Sequence, residues 1–173
     1  MLKLRQLIEQ DQSDLHALNS NPQVMEYFPN VLSTEQSRAM FEKTVAHYEN
    51  YGFGYWVVEI DGTFAGLTGL SHSGFDTPMG PHVEIGWRFM PWAWGLGYAT
   101  SAAREALNRG FDEHGLTEIF SYTTQKNVRS ENVMKRLGML RREECDFDHP
   151  NTPDWWGQRH IVYSMTSHER MWT

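Results

Sequence analysis

Cysteine is the scarcest resource of this 173-residue chain: Cys145 stands alone, which excludes an internal disulfide and any zinc site built on cysteine pairs. No apolar run approaches the roughly 18 residues of a membrane span, so no membrane partner is expected. Basic residues are also short, 15 against 22 acidic, for a net charge of −7. With no basic stripe, a nucleic-acid partner is excluded, and by charge alone a cationic small molecule is tolerated better than an anionic one. The opening MLKLRQLIEQDQ breaks its apolar residues with charges and does not read as a signal peptide, which points to the cytoplasm. Repeats, low-complexity tracts and linkers are missing too, so residues 1–173 are expected to form one domain. The eight histidines show no H-E-x-x-H spacing, and His82-x-Glu84 lacks the P-C-x-x-C of zinc deaminases. No metal site is expected.

What is present reads as a mixed α/β fold. LKLRQL alternates like an opening strand, and QSDLHALN reads as a short helix ending before Asn21-Pro22. Ser33 and Gln36 have capping-box spacing and open a helix to about Asn50. YWVVEIDGTFAGLTGL holds two β-rich runs joined by Asp61-Gly62, a tight hairpin turn. HVEIGWRFM is a third strand of the meander, with His82, Glu84, Gly86 and Arg88 on one face. Ala99, Ala102, Ala103, Ala106, Leu107 and Phe111 then form a helical stripe closed by Gly115, and LTEIFSYTT returns as a strand. A strand, helix, strand passage of this length makes parallel strands with a right-handed crossover. A short helix over about Ser130–Leu137 and two late β runs, MLRREEC and RHIVYSMT, complete the sheet.

The densest motif is PWAWGLGYATSAA, residues 91–103. The first amides of a helix have no intrahelical partner and the macrodipole makes that end positive, so Gly95 and Gly97 there would let a phosphate approach the backbone. The loop has neither the third glycine of a dinucleotide fingerprint nor the Gly-Lys-Ser/Thr of a Walker loop, and a tight turn packed under a helix is the plain alternative. Glu84 reads either as a carboxylate on a solvated strand face, or paired with Arg88, or as a proton acceptor. Asn127 and Ser130 read as a loop asparagine and a helix cap.

Taken together, the meander, glycine loop, helix and strand followed by QKNVRSENVMKRLGM resemble the GCN5-related N-acetyltransferases (GNAT), most closely their RimJ/RimL-like branch. The likeness runs from NPQVMEYFP through VEIGWRFMPWAWGLGYATSAAREAL to HIVYSM. It implies an antiparallel meander plus a splayed parallel pair flanked by helices, with acetyl-CoA as cosubstrate. It implies an enzyme that passes the acetyl group directly to a primary amine, on a protein N-terminus or a small molecule, as monomer or homodimer; a non-catalytic acyl-CoA-binding module on the same fold is the alternative. By the same likeness Trp94, Gly95, Leu96, Gly97, Tyr98, Ala99 and Thr100 cradle the pyrophosphate, with Trp94 at the usual Gln/Arg position. Phe89 and Met90 offer backbone groups to the pantetheine arm and thioester, Asn127 bonds the pantetheine, and Ser130 lies near the sulfur. Glu84 is the implied base. The family's tyrosine acid falls at Met134, which leaves Ser130 or a water for that proton. Glu26, Tyr27, Trp155 and Trp156 are implied on the acceptor side, with packing as their other reading.

Overall fold

The computed structural model describes residues 1–172. Strand β1 (Leu2–Gln6) leads into α1 (Gln12–Ser20), and α2 (Thr34–Tyr51) follows a loop. The capping box forms as its spacing predicts: Ser33 Oγ accepts from the Gln36 N–H at 3.2 Å, and Gln36 Oε1 accepts from the Ser33 N–H at 2.8 Å. β2 (Tyr55–Ile60) and β3 (Thr63–His72) form the hairpin, whose turn residues Asp61 and Gly62 have φ of 50° and 81°.

β4 (Val83–Phe89) completes the meander and α3 (Tyr98–Asn108) follows the glycine loop. β5 (Glu118–Thr124), α4 (Val128–Arg136), β6 (Leu140–Arg141), β7 (Phe147–Asp148) and β8 (Arg159–Thr166) finish the chain. The sheet order is β1-β2-β3-β4-β5-β8-β6, with β7 also on β8. Every pairing is antiparallel except β4 with β5, which matches the expected meander and parallel pair.

Alternation along the strands feeds two cores. Trp56, Val58, Ile85 and Phe89 pack with the α3 stripe Ala102, Ala103, Ala106 and Leu107 and with Met134 and Leu137 of α4. Val57 and Leu67, on the opposite face, pack with Leu15 and Leu18 of α1 and Phe41 of α2. The alanines let α3 lie close on the sheet, because each brings little bulk to the contact. Helices α1 and α2 therefore cover one face, α3 and α4 the other.

Two local expectations are corrected, and one short strand is added. α4 begins at Val128, so Asn127 is its cap and Ser130 lies inside the first turn. The Asn127 carboxamide oxygen accepts from the Ser130 N–H at 3.2 Å, and an asparagine three residues upstream competes well for that position. The run MLRREEC gives only two strand residues before turning through Glu143–Cys145, drawn aside as Arg141 bonds Asp146 and the Val162 carbonyl. The two-residue β7 lies below what alternation can signal.

Candidate active site

The parallel strands part almost at once. Glu84 opposite Phe120 is their single registered pair, and Ser121 Oγ then donates to the Ile85 carbonyl at 3.1 Å. Beyond that point β4 and β5 flank a cleft of about 1050 Å³, which continues to the glycine loop and the start of α3.

Which backbone groups face this cleft follows from the antiparallel ladder. The Met90 N–H donates to the Ala65 carbonyl at 2.8 Å, so the even-numbered residues of β4 spend their N–H and C=O groups on β3 and the odd-numbered ones point toward β5. The cleft edge is therefore presented by Trp87 and by the Phe89 N–H. Phe89's carbonyl accepts from the Trp94 indole N–H at 2.8 Å. That bond gives Trp94 a structural task at the family's Gln/Arg position: it staples the loop to β4, with the Arg129 guanidinium 4.5 Å above its ring.

At the far end, Gly95 and Gly97 have φ of 75° and 81°, and a Cβ on either would meet nothing within 4 Å. Protein packing does not exclude a side chain there. The positive φ of each backbone disfavours one. Ser101 N–H makes the first helical bond, to the Gly97 carbonyl at 3.1 Å, which leaves the amides of Tyr98, Ala99 and Thr100 without intrahelical partners. Gly95, Gly97, Tyr98, Ala99 and Thr100 all line the cleft, as does Arg104. Bare amides, a positive helix end and an arginine fit a pyrophosphate.

Glu84 lies where the strands divide, on the α1/α2 face. It is not paired with Arg88; Ser71 Oγ donates to its carboxylate at 3.3 Å. Burial pushes its pKa up to about 7, against the Ser71 hydroxyl and the Lys43 ammonium. The Tyr55 hydroxyl lies beside it over Gly86, where a Cβ would stand 2.4 Å from Tyr55 Oη. Burial, then the Glu84 carboxyl, raises the phenol well above its ordinary value, and Arg88 opposes them. Tyr55 thus stands between an acid and a guanidinium. Arg88 bonds Asn19 Oδ1 and lies 4.3 Å above the Phe28 ring, and burial lowers its pKa to about 10.

Across the cleft stand Tyr122, His149 and His160, with Tyr122 Oη buried and unpartnered. Burial and then His160 bring the His149 pKa down to about 4, and burial also lowers that of His160. Both are neutral near pH 7. Alternation on β4 put Arg88 on the face of Glu84, and the same rule could have placed Tyr55 and Tyr122; nothing in the sequence brings the loop histidine His149 to them.

Of the residues the resemblance implied, Phe89, Trp94, Asn127, Ser130, Tyr27 and Trp155 line the cleft. Leu96 points to solvent, 62% exposed, and Met90 spends its amide on β3. Asn127 caps α4 and donates to Thr123 Oγ1 at 3.0 Å. Glu26 is exposed and pairs with Arg129, while Trp156 packs edge-on against Tyr27 at 6.1 Å. Neither of those two lines the cleft. Met134 is fully buried in the core, so no acid occupies that position.

A split parallel pair that opens onto an amide-lined helix start makes a cleft suited to an extended ligand with a phosphate end. The match to the acetyltransferase (GNAT) domain model spans residues 1–140, and the chain belongs to that family of acetyl-CoA-dependent N-acetyltransferases. It is 32% identical over 125 residues to an Aspergillus fumigatus protein named FsC-acetyl coenzyme A-N(2)-transacetylase, covering 68% of this chain and 52% of that one. An acetyltransferase of the GNAT family from Bacillus anthracis superposes with a TM-score of 0.75 at 27% identity, over 95% of this chain and 94% of that one. Mycobacterium smegmatis RimJ, solved with CoA-disulfide, gives a TM-score of 0.80 at 17% identity over 99% and 85%, a likeness of fold.

Proposed function

We propose that the protein transfers the acetyl group of acetyl-CoA directly to a primary amine bound on the α1/α2 face, in a ternary complex. The observation that carries this is the continuity of the cleft: amides at one end, a carboxyl titrating near neutrality at the other. Acetyl-CoA, when bound, supplies an acyl group activated as a thioester.

The chain's own residues divide the remaining work. The amides of Gly97 to Thr100 hold the pyrophosphate, and the outward edge of Trp87 and Phe89 aligns the arm. An amine arrives mostly protonated at pH 7, since a lysine has a pKa near 10.4 and an α-amino group near 8. Glu84, directly or through a water, accepts that proton, and its raised pKa matches the task. Tyr55 orients the acceptor beside it. Ser130, lining the cleft at the start of α4, or a water returns a proton to the thiolate.

The fold likeness to RimJ supports a RimJ/RimL-like placement, and the transacetylase named above supports an amine nitrogen as acceptor.

Thiol release from acetyl-CoA, measured against pH with an amine panel, tests the assignment. Wild-type kcat/KM should rise through an inflection near 7, the pKa assigned to Glu84. Glu84→Gln should bind CoA normally by calorimetry, lower kcat roughly 10²-fold and lose that inflection. An inflection that survives in Glu84→Gln removes Glu84 as the base.

A further inference from the structure

We propose that the acceptor carries a carboxylate beside its amine and that Arg88 selects it. The inference rests on the reading of this cleft as the acetyl-transfer site, and it names the class of acceptor.

The argument begins with an unmatched cation. Arg88 shares a face with Glu84 and Tyr55, and its cross-strand partner is Leu67, a residue of the α1/α2 core. Its guanidinium lies among cleft-lining residues and stacks on Phe28, but its one side-chain partner is the neutral carboxamide of Asn19. Among the described residues no carboxylate pairs with it, and its nearest acidic neighbour on the strand, Glu84, is bonded to Ser71. A guanidinium taken out of water without a counter-charge is costly, and the cost is relieved when a ligand supplies the anion.

Geometry then narrows the anion. Asn19 occupies Nη1. Nε is buried and makes no hydrogen bond with the described residues. Nε–H and the adjacent Nη2–H lie on one edge of the planar group and form a two-pronged donor, the fork that carboxylates accept in bidentate fashion. The Phe28 ring lies 4.3 Å from the centre of the group. Tyr55, between Arg88 and Glu84, spans the gap from anion to amine.

The remaining charges on this side offer little to a polycation. Glu26 is neutralised by Arg129 at the rim, the two histidines are neutral, and Lys43 lies toward Glu84. The net charge of −7 suggested a cationic acceptor, but the acceptor chamber itself holds a guanidinium that no carboxylate of the described residues pairs.

The test pairs turnover with binding. Thiol release is measured for the twenty common amino acids, their carboxamides and putrescine. On the CoA-loaded protein, calorimetry measures binding of the N-acetyl amino acids and of their amides. The carboxamides have the less basic amine and present more of it unprotonated at pH 7, so a preference for the free acid runs against amine availability. The best free acid should exceed its carboxamide by about 10-fold or more in kcat/KM, because an unmade bond leaves the buried fork unpaired. Arg88→Lys and Arg88→Gln should remove most of that preference and keep CoA affinity.

The proposal is overturned if the carboxamides match the acids, if putrescine is the best acceptor, or if the Arg88 variants weaken acid and amide equally. Absent turnover with a retained acid-over-amide binding preference would sink the transferase reading alone. Turnover without preference would sink the carboxylate site alone, and the loss of both would remove both.

Discussion

At the scale of single residues, the site depends on contacts a sequence motif does not display. Gly86 gives the clearest case: it is glycine because Tyr55 lies across it, and a Cβ there would stand 2.4 Å from the hydroxyl. Gly86→Ala should therefore displace Tyr55, lower kcat/KM by roughly 10-fold or more through misplacement of the acceptor, and leave CoA affinity unchanged. Steady-state kinetics beside calorimetry checks this, and full activity in the variant would show that Tyr55 has no part in positioning. Trp94 is the second case. Trp94→Phe keeps the ring under Arg129 but deletes the donor to the Phe89 carbonyl, a bond of 2.8 Å. Losing a bond worth about 1 kcal/mol should weaken CoA binding about 5-fold by calorimetry, and an unchanged Kd would show that the loop holds its place without the staple.

Among the elements, α3 borders the proposed cofactor end and α2 does not, which separates expected effects on binding from effects on stability. Gly97→Ala forces a side chain into the left-handed region at φ 81°, at a cost of about 1–2 kcal/mol, and should raise the Kd for CoA as the loop relaxes. Ser33→Ala breaks the α2 capping box at about 1 kcal/mol of stability and should leave that Kd alone. Chemical denaturation and calorimetry on the two variants distinguish the roles; equal Kd values would separate the glycine loop from CoA. These elements were legible because each carries a local signal: a capping box, an Asp-Gly turn, alternation on β4, alanines at helical spacing. The loop we assign to the cofactor stood out for the same reason, since it is one contiguous motif. The acceptor end did not. Arg88 with Asn19, Tyr55 with Gly86 and His149 with His160 are brought together by sheet register and by the return of β7 and β8, and no short-range pattern encodes those meetings.

Across the whole molecule, the cleft gathers groups held away from their ordinary protonation, and their effects on stability oppose each other. Glu84 has its pKa raised from 4.5 to about 7, so the folded protein binds more protons there than the unfolded chain; that stabilisation is present at low pH and is lost as pH rises through 7. His149 is lowered from 6.5 to about 4, with His160 shifted the same way, so the unfolded chain binds more protons there; stability is full above 6.5 and is lost as pH falls toward 4. Between 4.5 and 6.5 the two slopes have opposite sign, and the wild-type Tm should change little. Each substitution should expose the other wall. Glu84→Gln should leave a Tm that climbs with pH across that window, whereas His149→Gln combined with His160→Gln should leave one that falls as pH rises toward 7. Thermal unfolding at constant ionic strength reads both slopes, and the same slope in both variants would mean that the two walls of the cleft do not titrate as the buried, opposed groups described here.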